Sequence, residues 1–180
     1  MADDIRLWTE VQPRIHRDDI MRCYSGIGLM EGARDVVEEL SRRGIFVAIV
    51  SAGVDIFVGV IANMLSVDDW VANGFDWDDE GWLNGPSPTR VYSHDKGVMV
   101  EKLSRINELE PESIFSVGDS STDLSMMIPG SKFIGFNPAR QRASDAFGDA
   151  GVPIVNSKDL RDIWSHIFEG ELFSQSGEGN

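Results

Sequence analysis

Apolar positions along the chain switch repeatedly between helical and strand spacing. In residues 31–43, Ala33, Val36, Val37 and Leu40 recur every three or four positions, which predicts a helix with one buried stripe that stops at Gly44. Residues 45–50 then form an unbroken β-branched and aromatic run, the pattern of a strand covered on both faces. Helical spacing returns through residue 65, with Ile56, Phe57, Val60, Ile61 and Met64 on the inner side. Residues 75–77 and 82–83, separated by a Gly81-containing turn, predict a β-hairpin. A helix over 97–107, strands at 113–117, 132–136 and 152–155, a segment at 139–147 and a last helix at 160–168 complete the pattern.

Strands alternating with helices in this way predict an α/β fold: a Rossmann-like, mostly parallel sheet with helices on both faces. Residues 3–24 are polar with scattered apolar positions, and Pro13 divides them, so two short helices are expected there. Residues 174–180 are polar and glycine-rich, and the tail from 171 to 180 is expected to be disordered. There is no internal repeat.

Charge narrows the field of functions. With 16 Lys and Arg against 30 Asp and Glu, the net charge of -14 repels phosphate backbones and anionic lipid, which disfavours nucleic-acid binding. The apolar runs are strand-sized, far short of a bilayer span, and the first residues lack a basic region followed by an apolar core, so a cytoplasmic protein is expected. The single Cys23 has no thiol partner for a disulfide or a zinc site and is expected to be a small buried hydrophobe.

Three signals stand where loops leave strands, the place where open α/β sheets hold ligands. Ser51, followed by Ala52 and Gly53, brings a hydroxyl and backbone N–H groups to a helix start, where a phosphate could dock; read alone, Ser51 is an ordinary helix cap. Lys96 also lies at a helix start, where a cation is disfavoured unless an anion is near; read alone, it is a surface lysine. Gly118-Asp119-Ser120-Ser121-Thr122-Asp123 sets two carboxylates four residues apart after a buried strand, hard oxygen ligands that suit Mg²⁺. The bland reading of this last stretch is a cap and a first-turn acid.

Taken in order, VAIVSAG, DKG and VGDSSTD resemble the second, third and fourth motifs of the haloacid dehalogenase superfamily. The segment around 31–65, the hairpin before DKG and the closing VNSKDLRDIWSHI are similar to its phosphoserine phosphatase branch, so the resemblance spans residues 30–168. It implies that Ser51 and the amide after it bind phosphate, with Ala52 and Gly53 in that loop, and that Lys96 holds the nucleophile and the phosphate charge. It further implies that Asp119 ligates Mg²⁺, that Asp123 orients Lys96 or a metal-bound water, and that Thr122 faces the phosphate. The substrate class implied is a small phosphorylated metabolite, with phosphoserine the leading candidate and a homodimer a candidate assembly. Thr122 and Ala52 stand where members often have Asn and Gly; both keep a polar side chain or an amide.

One motif of that family is absent. Its chemistry begins at D-x-D-x-T on the first strand, where one Asp attacks phosphorus and the next protonates the leaving alcohol. Asp3-Asp4 has neither the spacing nor a preceding strand. The resemblance therefore divides the chain into a partial helical cap over 1–28, a core over 29–170 that lacks its first strand and carries a hairpin near 74–92, and the tail. In the family that strand lies between those ending at Ser51 and Val117, so two unpaired edges are expected without it. A late start or a truncation is the expected cause, with roughly forty residues preceding on the size of a strand plus a helical pair, and the chain as given is expected to be inactive alone. For the substrate carboxylate, the family's Arg corresponds to Arg6, or Trp8 takes its place. Two other readings remain: a non-catalytic relative that binds phosphate or a partner, and a receiver-type signalling domain, which the hairpin and the position of Lys96 disfavour.

Overall fold

The structure, a computed structural model, describes residues 7, 9–12, 14–26 and 28–174. A short helix α1 (Arg17–Arg22) runs into a 3-10 turn at Cys23–Gly26. Its first amides are capped by the His16 ring, which accepts a hydrogen bond from the Asp18 amide. Cys23 is exposed, with its Sγ donating to the Asp19 carbonyl, so the expected buried role is corrected; α1 has no buried residue for it to join.

Helix α2 (Ala33–Arg42) follows the predicted stripe, with Ala33, Val36 and Val37 buried. Strand β1 (Ala48–Val54) starts and ends later than its apolar run suggests. Pairing fixes those limits. Asp68 receives the Val47 amide on its carboxylate, parallel pairing with β2 (Asp69–Asn73) begins at Ala48, and Val54 still pairs with Asn73. Between Val50, opposite Val71, and Val54, three residues face Ala72 alone, so Ser51, Ala52 and Gly53 form a bulge. Helix α3 (Asp55–Leu65) follows at once.

Strands β3 (Phe75–Trp77) and β4 (Leu83–Pro86) form the predicted antiparallel hairpin. The segment before α1 lies along it: the Leu83 amide donates to the Ile15 carbonyl, the Arg17 amide to the Gly81 carbonyl, and Arg14 lies 4.1 Å over the Trp82 ring. Helix α4 (Gly97–Ile106), strand β5 (Phe115–Gly118), a 3-10 turn (Asp123–Met126) and β6 (Lys132–Phe136) come next, followed by α5 (Gln141–Asp149), β7 (Ile154–Val155), a 3-10 turn (Leu160–Ile163) and α6 (Trp164–Ile167).

Strands β5, β6 and β7 make one parallel sheet covered on both faces. Successive residues of β6 point to opposite sides. Ile134 and Phe136 pack with Val36, Ile163 and Trp164, while Phe133 packs with Val100, Met126, Ala143 and Phe147. Gly135 is required here, because a Cβ would lie 2.4 Å from the Phe147 ring. Strands β1 and β2 form a second parallel pair, joined to this core through Val50. Among the described residues, β1 and β5 each keep one edge without a strand partner.

The chain end is partly anchored. The Trp164 ring meets Phe173 edge-on at 5.0 Å, and Arg43 pairs with Glu171; residues 175–180 lie outside the described residues. No helix among those described is long and apolar enough to cross a membrane.

Candidate active site

Strand β5 ends at Gly118, and the chain turns back so tightly that a Cβ there would lie 2.3 Å from the Asp123 Cβ. Only glycine permits that approach. The turn places the Asp123 carboxylate beneath its own loop, where Oδ2 accepts from the amides of Asp119 (3.1 Å) and Ser120 (2.9 Å) and from the Ser120 hydroxyl (3.1 Å). Its other oxygen, Oδ1, receives the Lys96 Nζ at 2.5 Å. Burial alone would push the Asp123 carboxyl up, but the Lys96 ammonium and the Ser120 donors outweigh it and hold the group below the usual carboxylate range.

Lys96 arrives from the other side. It immediately precedes α4, and Gly97 lets that helix start close against the 3-10 turn, since a Cβ would meet the Ser125 carbonyl at 2.5 Å. The Asp119 side chain is exposed and has no partner among the described residues. Thr122 is also exposed, and its hydroxyl lies 2.7 Å from that of Ser120.

The phosphate-loop candidates Ser51, Ala52 and Gly53 occupy the β1 bulge. The Ser51 hydroxyl accepts from the Gly53 amide at 3.1 Å, which folds the bulge into a small cup. No hydrogen bond among the described residues joins Ser51 to Lys96 or Asp119. The structure therefore brings Lys96, Asp119, Thr122 and Asp123 directly together and ties the Ser51 loop to them by packing through Val50, which touches the cluster containing Val100 and Met126.

The link that the sequence did not reveal is Asn73, 4% exposed at the end of β2. Its amide nitrogen donates to the Ala52 carbonyl (3.0 Å) and the Val91 carbonyl (2.8 Å), and its Oδ1 accepts from the Arg90 and Val91 amides (both 2.8 Å). All four hydrogen-bonding positions are used. Asn73 thus clamps the Ser51 loop to the segment that runs into Lys96. A polar residue closing an apolar strand was the available signal, but β2 itself is too short and too polar at its ends to read as a strand.

A divalent cation fits part of this geometry. Asp119 offers an unengaged carboxylate, whereas that of Asp123 is occupied by four donors. The described residues contain no group of three His, Cys, Asp or Glu placed to hold a metal ion. One protein carboxylate completed by water and phosphate is a coordination that Mg²⁺ accepts. Arg6 and Trp8, the candidates for a substrate carboxylate, lie outside the described residues.

Residues 6–127 match the family described as haloacid dehalogenase-like hydrolase. A phosphoserine phosphatase of Methanocaldococcus jannaschii is 33% identical over 153 residues, covering 83% of this chain and 69% of the relative. One from Wolinella succinogenes is 30% identical over 148 residues, covering 79% and 67%. A crystal structure of phosphoserine phosphatase in apo form aligns with a TM-score of 0.77 at 28% identity, over 92% of this chain and 80% of that one. A phospho-aspartyl intermediate analogue of phosphoserine phosphatase aligns with a TM-score of 0.73 at 30% identity, over 85% and 71%. The chain belongs to the haloacid dehalogenase-like hydrolase family, in which it resembles the phosphoserine phosphatases.

Proposed function

We propose that this chain supplies the phosphate- and magnesium-binding part of a phosphomonoester hydrolase that works through an aspartyl-phosphate intermediate, with phosphoserine as the substrate. The observation that carries this reading is the buried Lys96–Asp123 pair bonded to the Asp119 and Ser120 amides, with the exposed Asp119 carboxylate left unengaged. The arrangement fixes a buried ammonium next to the loop that carries the exposed Asp119 carboxylate.

In this reading Ser51 and the Ala52 and Gly53 amides receive the phosphoryl oxygens, Thr122 adds a hydroxyl, and Lys96 balances the phosphate charge. Asp119 would hold Mg²⁺, with Asp123 setting the shape of the metal loop; the ion would neutralise charge on the phosphate oxygens. The attacking carboxylate forms a bond to phosphorus as the ester oxygen leaves with a proton from a second acid, and water then releases phosphate from the acyl phosphate.

No D-x-D-x-T occurs in the sequence. The unpartnered edges of β1 and β5 support a site for the strand that would bear the nucleophile. On this reading residues 1–28 belong to a helical cap and 29–170 to the core, the protein works in the cytoplasm on a small metabolite, and the 180-residue chain is inactive by itself.

The test compares phosphate release from phosphoserine, with MgCl2, by the 180-residue chain and by a form extended with a strand bearing D-x-D-x-T. Activity in the extended form alone is the expected result. An extended form that binds inorganic phosphate yet releases none from phosphoserine would favour the non-catalytic relative.

A further inference from the structure

The Lys96 backbone is held by a side chain with no assigned role. Lys96 is the N-cap of α4, its own side chain makes no capping hydrogen bond, and its amide lies ahead of the first turn. That amide donates instead to the Ser125 hydroxyl at 3.0 Å, across from the acidic loop. Ser125 Oγ in turn donates to the Thr122 carbonyl at 2.7 Å. The direction is fixed: an amide can only donate and a carbonyl can only accept, so the hydroxyl takes one bond and gives the other.

We propose that Ser125 is a positioning residue that sets the reach of Lys96 to the phosphate. The inference rests on the phosphatase reading of the site. A lysine side chain has a flexible four-carbon stem, and its ammonium can wander by several ångströms unless its root is fixed. Here root and tip are referenced to the same turn. The root is held by Ser125 and the tip by Asp123, two residues apart in one 3-10 segment. Gly97 completes the joint, because its missing Cβ lets the Ser125 carbonyl sit against the start of α4. Without the hydroxyl, the Lys96 amide and the Thr122 carbonyl lose a shared partner while the ion pair stays intact, so the ammonium is retained but its position relative to the Ser51 loop loosens.

The test is the affinity of the 180-residue chain for inorganic phosphate with MgCl2, measured by calorimetry in the parent, Ser125→Val and Ser125→Thr. Valine and threonine have nearly the same shape, and only threonine keeps the hydroxyl, so the comparison separates positioning from packing even if a smaller substitution such as Ser125→Ala failed to fold. Ser125→Val should bind about tenfold more weakly, the scale of one lost hydrogen bond in the site, and Ser125→Thr should return to within about threefold of the parent. Equal affinities for Ser125→Val and the parent, or equal losses for the valine and threonine forms, would overturn the proposal. Lys96→Met distinguishes the two levels. If it binds phosphate as well as the parent does, or if the parent binds none, the phosphatase reading itself fails.

Discussion

The Lys96 ammonium lies 2.5 Å from Asp123 Oδ1, and the two side chains are only 12% and 7% exposed. The partners are not equivalent. Asp123 has three further donors on its second oxygen, whereas Lys96 Nζ has no other protein partner among the described residues. Removing the carboxylate therefore strands a buried cation and frees two loop amides together. Asp123→Ala should cost about 3–5 kcal/mol, and Lys96→Met clearly less, as read from urea unfolding of the two variants. Equal losses would show that the carboxylate does not organise the loop.

Asn73 makes a second prediction. Asn73→Ala would leave the Ala52 and Val91 carbonyls and the Arg90 and Val91 amides without their present partner. Each stranded buried group costs about 1–3 kcal/mol, so the variant should lose at least about 2 kcal/mol. Amide hydrogen exchange at Val91 should accelerate well beyond the change in global stability. Uniform acceleration throughout the chain would mean that Asn73 acts only on the overall fold.

Gly118 is tested by one methyl group. In Gly118→Ala the new Cβ would have to displace the Asp123 Cβ, 2.3 Å away, and the resulting overpacking should cost about 1–3 kcal/mol. Gly148 has open space around it, so Gly148→Ala should be close to neutral or slightly stabilising in its helix. Thermal midpoints of the two variants decide the matter.

Acid stability depends in part on Glu39. Hydrogen bonds from Arg42 and then Arg43 hold its carboxyl at about 2, below its ordinary value of 4.5. A carboxyl with a depressed folded value binds fewer protons folded than unfolded, so its contribution is fully present above about 4.5 and disappears as pH falls through about 2. The midpoint difference between the parent and Glu39→Gln should therefore be largest near neutral pH and shrink steadily between pH 4.5 and 2. A difference independent of pH would exclude this linkage.

The helix over 33–42, the strand over 132–136 and the hairpin could be read from periodicity because each buries one consistent face. Motif order also pointed to Lys96, Asp119 and Asp123. What stayed hidden depends on contacts distant in sequence. The shift of β1 to residues 48–54 is decided by pairing with β2 and by the Asp68 carboxylate, and the roles of Asn73 and Ser125 are defined by partners up to 29 residues away. A residue's type records what it can bond, and only the fold records with what.

Whether the loops at Ser51, Lys96 and Asp119 form one phosphate site is tested most directly by a map of backbone amide resonances as inorganic phosphate and MgCl2 are added to the 180-residue chain. A shared site requires that Ala52, Gly53, Lys96 and Ser120 to Thr122 shift together along one saturating curve. Shifts confined to one of these loops, or to residues elsewhere, would contradict a common phosphate site.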